Sequence, residues 1–359
     1  MTETFMNLQR IAAGLTITIA LAASAANTVA APNPPPASAS HQYDPTRPSS
    51  APDTPKQSEP GVPATGSVRD MLLRAPSVSP PKRIGPAPVP SLTKSFLWEV
   101  KSPTSTVWLF GTMHVGKRAF YPLPDVVETA FDDAATLVVE ANVSKPAGDL
   151  NPLIRYLAPD TLDKHIPKPL FDRLRTQLVR LRIPEDVVKP MKPFVVGGFL
   201  SVAEFSRLGY DMNLGVDAYL LTRAKEAGKP VEELESVRSQ LEMLANMPGN
   251  LQEAFLDNAV ATLELGRSAD QVTGMVNAWQ TGDDVLMADV TEEVNRGMKF
   301  MSQLDDVMLH GRHDAMLNKI GNYLAGNQPV FVAVGSLHLV GPRGLIQALK
   351  SKGYEVKQK

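Results

Sequence analysis

Two short apolar runs, 106–110 and 329–334, pass directly into the same pattern, Gly111-Thr112-Met113-His114 and Gly335-Ser336-Leu337-His338. A short apolar run that stops at a glycine reads as a strand buried on both faces. Glycine at such a strand end permits a sharp turn and a close backbone approach that a side chain would block. In open α/β sheets, ligands sit at the carboxyl ends of the strands, where these turns fall. A fold that makes neighbours of the two runs brings both imidazoles into one crevice.

The segments between them predict such a fold. Residues 96–100, a Ser102-Pro103 turn and 106–110 read as strand, turn and strand. Residues 123–134, with Pro124-Asp125 at their start, carry helical spacing and an acidic first turn. Leu137-Val138-Val139-Glu140 closes a buried strand on a carboxylate, and 229–235 reads as another strand end. Helical patterns cover 170–181, 195–208, 216–227, 236–247, 251–266, 270–280 and 283–309, with a closing helix over 344–352 and a short last strand over 354–357. The expected fold class is α/β (α+β), with a mainly parallel or mixed central sheet formed by N- and C-terminal strands. A large helical block, about 145–310, lies between them.

The chain of 359 residues is not all core. Gln9-Arg10, the apolar run 11–25 and small residues up to Ala31 describe a signal peptide over 1–31, with cleavage after Ala25, Ala30 or Ala31. The run falls short of the ~20 residues of a membrane span. The protein is therefore expected to be exported, periplasmic or secreted, with an uncleaved N-terminal anchor as the alternative and no transmembrane domain after cleavage. Residues 32–92, rich in Pro, Ala and Ser, bury too little apolar surface to offset chain entropy and read as a disordered linker. The folded domain is expected over 93–359. A net charge of −2 with no basic stripe argues against nucleic acid as a partner. With no cysteine, disulfides, thiolate metal sites and cysteine nucleophiles are excluded.

His114 and His338 are the first candidate site residues, as metal ligands or as acid/base groups near neutral pH. Glu140, at a third strand end, is the third ligand or the base that takes a proton from a bound water. Glu235 has the same placement. A His/His/Glu set with an open position is the arrangement of a catalytic metal site, and imidazole with carboxylate suits a divalent Mn, Co or Zn. Arg312, before the last strand, is a candidate to bind a substrate carboxylate or steady an oxyanion.

Leu97-Trp98-Glu99-Val100, Trp108 through His114, Leu137 through Glu140, Gly215-Val216-Asp217, Lys229 through Glu235 with Gln240 following, and Val330 through Gly341 together resemble the TraB/GumN family over about 96–358. That family is related to the Tiki metalloproteases and, more distantly, to erythromycin-esterase-like and haem-binding ChaN-like proteins. The resemblance implies a paired Gly-x-x-His site with a glutamate after an early strand, roles that fall on His114, His338 and Glu140. It also implies an Arg-Asn pair before the last strand; here Arg312 matches and His313 stands in place of the Asn. The function expected is a metal-dependent hydrolase, peptidase-like, acting on a peptide or small molecule outside the cytoplasm. The alternatives are a peptide-, pheromone- or haem-binding module in the same crevice, and a metal-free esterase using histidine as general base.

Overall fold

The apolar runs do become neighbours. The computed structural model describes residues 94–359; the expected signal segment and linker lie outside the described residues. Six strands, β1 (Leu97–Lys101), β2 (Thr106–Thr112), β3 (Thr136–Ala141), β4 (Val231–Glu235), β5 (Val330–Gly335) and β6 (Glu355–Gln358), form one sheet in the order β4-β3-β5-β2-β1-β6. Strands β4, β3, β5 and β2 run parallel, and β1 pairs antiparallel with both β2 and β6. The carboxyl ends of β2, β3, β4 and β5 therefore share one edge of the sheet. Registers Thr112↔Gly335 and Ala141↔Glu235 hold those ends level.

Position in the sheet explains each strand's sequence. The central β5, Val-Phe-Val-Ala-Val-Gly, is buried at every residue because helices cover both faces. The border strands are polar: β4 is Val-Glu-Glu-Leu-Glu, and β6, Glu-Val-Lys-Gln, alternates exposed and half-buried residues. Charged residues on a border strand suppress pairing with another chain.

Helices α1 (Asp125–Asp133), α2 (Lys168–Arg180), α3 (Pro193–Arg207), α4 (Val216–Glu226), α5 (Val237–Ala245), α6 (Gly249–Glu264), α7 (Ser268–Thr281), α8 (Asp284–Asn295), α9 (Met301–Met308), α10 (His313–Leu324) and α11 (Leu345–Ser351) carry most of the remainder. Two apolar cores result. One surrounds the sheet and includes Val127, Phe131, Leu220, Met275, Ile320 and Leu349. The other joins the helical block through Leu174, Val196, Leu241, Phe255 and Leu304.

Two details refine the expected layout. Strand β4 rises from the middle of the helical block and adds to the sheet beside β3. The helical pattern over 283–309 is broken into α8 and α9, because Gly297 (φ 80°) and Phe300 (φ 53°) adopt the left-handed conformation, which ends a right-handed helix. Among the described residues, no helix is long and apolar enough to cross a membrane.

Candidate functional site at the carboxyl edge of the sheet

His114 follows β2 by two residues, Glu140 is the penultimate residue of β3, Glu235 ends β4, and His338 closes a 3-10 turn (Ser336–His338) directly after β5. The shared edge brings all four to one side of the sheet. The edge is tied across strands: Gly335 N donates to Glu140 Oε2 at 3.1 Å, and Ser336 Oγ donates to the Thr112 carbonyl at 2.7 Å. Close approach explains Gly111 within β2, where a Cβ would stand 2.5 Å from the Phe96 ring.

Arg312 enters from the 3-10 turn His310–Arg312 that precedes α10, and its buried guanidinium forms the centre of the first cluster. Nη2 bonds Glu140 Oε1 at 2.5 Å and also Glu235 Oε2, while Nε reaches both Glu235 oxygens at 3.0–3.1 Å. Nη1 donates to the Met308 carbonyl at 2.8 Å and lies 3.2 Å from His338 Nε2. The buried Gln240 adds its Nε2 to Glu140 at 2.9 Å and to Glu235 at 3.1 Å. Two carboxylates, one of them only 1% exposed, are tolerable here because a cation and several donors meet them.

Electrostatics follow from that arrangement. Burial alone would push the Glu140 carboxyl up, but the Arg312 charge holds it well below the usual carboxylate range. Burial pushes the His338 imidazole down, and Arg312 adds to the effect against the pull of Glu140. His313, the residue where the family resemblance expects Asn, lies behind His338: its Nε2 is 3.0 Å from His338 Nδ1, and its Nδ1 is 2.9 Å from the Arg343 carbonyl. Burial and the neighbouring His338 depress it to about 3.

The second cluster is built on His114. Its Nδ1 stands 2.7 Å from Asp217 Oδ2, and Thr112 Oγ1 donates to Asp217 Oδ1 at 2.7 Å. Asp217 sits in the first turn of α4, where a helix favours an acid. The preceding Gly215 lets α4 abut the turn after β2: a Cβ there would lie 2.3 Å from the His114 carbonyl oxygen, and Val216 N bonds the Met113 carbonyl at 2.8 Å. Burial raises the Asp217 carboxyl, but His114 outweighs it and the net direction is down. A cavity of about 30 Å³, room for a water molecule, is bordered by Met113, His114, Phe205, Met275, Ser336 and Leu337. Glu140, Arg312 and His338 do not border it.

The two expected histidines thus share an edge and meet different carboxylates there, His114 facing Asp217 and His338 lying nearest Glu140, with the charges of His114, Glu140 and Asp217 coupled. Their ligand role meets a physical obstacle. Among the described residues, no group of three or more His, Asp or Glu side chains is arranged to hold a metal ion. Glu140 and His338 both meet the Arg312 guanidinium, so the donors a divalent ion would need already face a fixed cation. The donor types suit a metal; this arrangement does not fit one.

Asp217, Gln240 and Thr112 join the site without having been expected there as site residues. A glycine followed by an acid in a helix's first turn is the local signal for Asp217, yet nothing in the spacing links positions 114 and 217. Linking them requires the turn after β2 to dock on the start of α4.

Fold and site define an α/β protein with a six-stranded mixed sheet and a histidine–carboxylate site on its parallel edge. The TraB/PrgY/gumN family matches residues 96–358, and the chain belongs to that family. It is 27% identical over 244 residues to the uncharacterized protein YbaP of Escherichia coli (strain K12), which covers 67% of this chain and 87% of YbaP. An uncharacterized protein of Treponema pallidum (strain Nichols) is 23% identical over 237 residues, 63% of this chain and 70% of that protein. No solved structure matches significantly.

Proposed function

We propose that the chain is a hydrolase that cleaves an ester or amide at the carboxyl edge of the sheet, with His114 as general base and Asp217 as the group that orients it. The carrying observation is the 2.7 Å contact between His114 Nδ1 and Asp217 Oδ2 beside the small cavity. With the Asp217 carboxylate accepting from Nδ1–H, Nε2 becomes the basic nitrogen, the division of roles that suits an imidazole to proton transfer. In this reading His114 Nε2 takes a proton from water as the water oxygen adds to the substrate carbonyl carbon. The bond to the leaving alkoxide or amine then breaks, and the imidazolium returns the proton to it. Orientation of this kind and general base catalysis contribute about 10²–10⁴-fold.

The resemblance to Tiki-type proteases supports a metal-dependent form of the same hydrolysis, with Mn, Co or Zn on His114, His338 and Glu140. The convergence of those donors on one edge favours it; the position of Arg312 opposes it, and no step is derived through the ion. An exported setting belongs to the same proposal, supported by the apolar run 11–25 and the small residues after it.

The test is turnover by the full chain on a panel of esters and a peptide library, with and without a strong chelator. Expected is activity that survives chelation and falls about 10³-fold in His114→Ala and Asp217→Asn, measured under conditions where unfolding curves show both variants still folded. Activity that appears only with added Mn, Co or Zn would replace this reading by the metal-dependent one. Tight peptide or haem binding with no turnover under any condition would make the protein a binding module.

A further inference from the structure

Two imidazoles and a guanidinium stand in line behind the sheet edge, and their protons follow from hydrogen-bond bookkeeping. The Arg343 carbonyl only accepts, so His313 Nδ1, 2.9 Å away, carries a proton and donates. At the other end Arg312 only donates, and its Nη1 lies 3.2 Å from His338 Nε2, so that nitrogen accepts. A neutral imidazole has one N–H, which on His338 must then be at Nδ1. That nitrogen faces His313 Nε2 at 3.0 Å, which is left as an acceptor once His313 has given its Nδ1–H to the carbonyl. The two ends of the line demand the same assignment independently. The reverse assignment would set His338 Nε2–H against an Arg312 N–H in a buried place, while the nearest carboxylate oxygen, Glu140 Oε1, stands 3.6 Å from that nitrogen, beyond hydrogen-bond reach.

We propose that His313 is a positioning residue that locks His338 in the Nδ1–H tautomer, so that His338 Nε2 presents a lone pair to the Arg312 guanidinium. A histidine's tautomer is set by the bond its other ring nitrogen makes, and here that partner is itself oriented by a backbone carbonyl. The loop that carries the carbonyl is fastened at the surface, where the Arg343 side chain pairs with Asp306 at 2.6 Å. His338 is fully buried, so water cannot substitute for the missing acceptor. The lock holds Arg312 between Glu140, Glu235 and His338, and it stands whether or not the chain proves to be a hydrolase.

The test is long-range proton–nitrogen correlation spectroscopy on the ¹⁵N-histidine-labelled full chain, whose six histidines give few signals. The cross-peak lost in His338→Gln identifies His338. Expected in the wild type are two rings, His338 and His313, each with a pyrrole-like Nδ1 and a pyridine-like Nε2. His313→Phe removes the acceptor, and the His338 pattern should invert or average. His313→Gln, whose Oε1 accepts as the imidazole did, should restore it. A wild-type His338 carrying its proton on Nε2, or an unchanged His338 pattern in His313→Phe, would overturn the proposal. The wild-type spectrum decides both tautomers even if the Phe variant fails to fold.

Discussion

Replacing Arg312 by Met tests the electrostatic core of this site. The substitution keeps an apolar stem of similar reach and removes the cation between two carboxylates. Glu140, 1% exposed, would keep its bonds from Gly335 N and Gln240 Nε2 but lose the guanidinium paired with it. Removing one partner of a buried ion pair costs about 3–5 kcal/mol. Two surviving donors soften that loss, so about 3 kcal/mol is expected at pH 8. In a domain of this size, where 1 kcal/mol moves Tm by about 2–4 °C, that is roughly 6–12 °C. The pH dependence gives the sharper check. In the wild type the carboxyl of Glu140 lies well below its unfolded value, so it stabilises the fold above that value and the contribution fades as pH falls through the lower, folded one. Without Arg312, burial loses its main opponent and lifts the carboxyl, giving a penalty at neutral pH that fades as protonation sets in. The difference between the proteins must therefore shrink as pH falls. Urea unfolding at pH 8, 6.5 and 5, followed by fluorescence of the buried Trp98 and Trp279, measures it. Adding Glu140→Gln to the variant should recover much of the loss at pH 8. A difference under about 1 kcal/mol at pH 8, or one that grows toward pH 5, would refute the reasoning.

Two further outcomes are expected. Gly215→Ala puts a Cβ 2.3 Å from the His114 carbonyl oxygen, so the start of α4 must retreat; thermal unfolding should show a loss of about 1–3 kcal/mol, and any hydrolase activity should fall with it as Asp217 leaves His114. Asp305, whose Oδ1 is buried without a hydrogen-bond partner, is pushed up to about 6 by burial and then by Asp306. Its carboxylate therefore weakens the fold at neutral pH, a penalty relieved as pH falls through about 6; Asp305→Asn should stabilise by on the order of 1 kcal/mol at pH 8, after solvent screening, with the gain fading by pH 5 in urea titrations.

Periodicity carried the sheet because its central strands are continuous apolar runs. Phe331 to Val334 have 0% exposure, and no helix face looks like that over so short a length. The polar border strand β4 was legible only as a strand end, since Glu232, Glu233 and Glu235 alternate with too little apolar content to mark a core. The break between α8 and α9 escaped because a glycine within a helical pattern signals a weak point, whereas Phe300 in the left-handed region depends on tertiary context. At the site, strand-end logic pointed to one edge for His114, Glu140 and His338, with Glu235 as a further candidate, and the parallel pairing of β2, β3, β4 and β5 puts all four there. What each side chain touches was out of reach of that logic. Asp217 comes from a helix start about a hundred positions away from His114, and Arg312 reaches in from outside the sheet altogether.

The two Gly-x-x-His turns show how far a local motif determines chemistry. Both follow buried parallel strands, and both aim an imidazole over the same edge. Their environments then diverge through what packs against them. The turn after β2 meets the amino end of α4, which supplies a carboxylate to Nδ1 of His114 and leaves the residue at the rim of a cavity. The turn after β5 meets the segment before α10, which supplies a guanidinium and a second imidazole and seals His338 from solvent. An acceptor on Nδ1 raises the basicity of the opposite nitrogen, while a permanent cation against Nε2 opposes protonation there. Similar turns therefore yield one histidine paired with a carboxylate at a cavity rim and one, fully buried, whose imidazole is held toward the neutral form. A divalent ion at this floor would have to compete with Arg312, which already meets both Glu140 and Glu235. An Arg312→Met protein should therefore take up divalent metal more readily than the wild type, as read by metal titration of the two proteins.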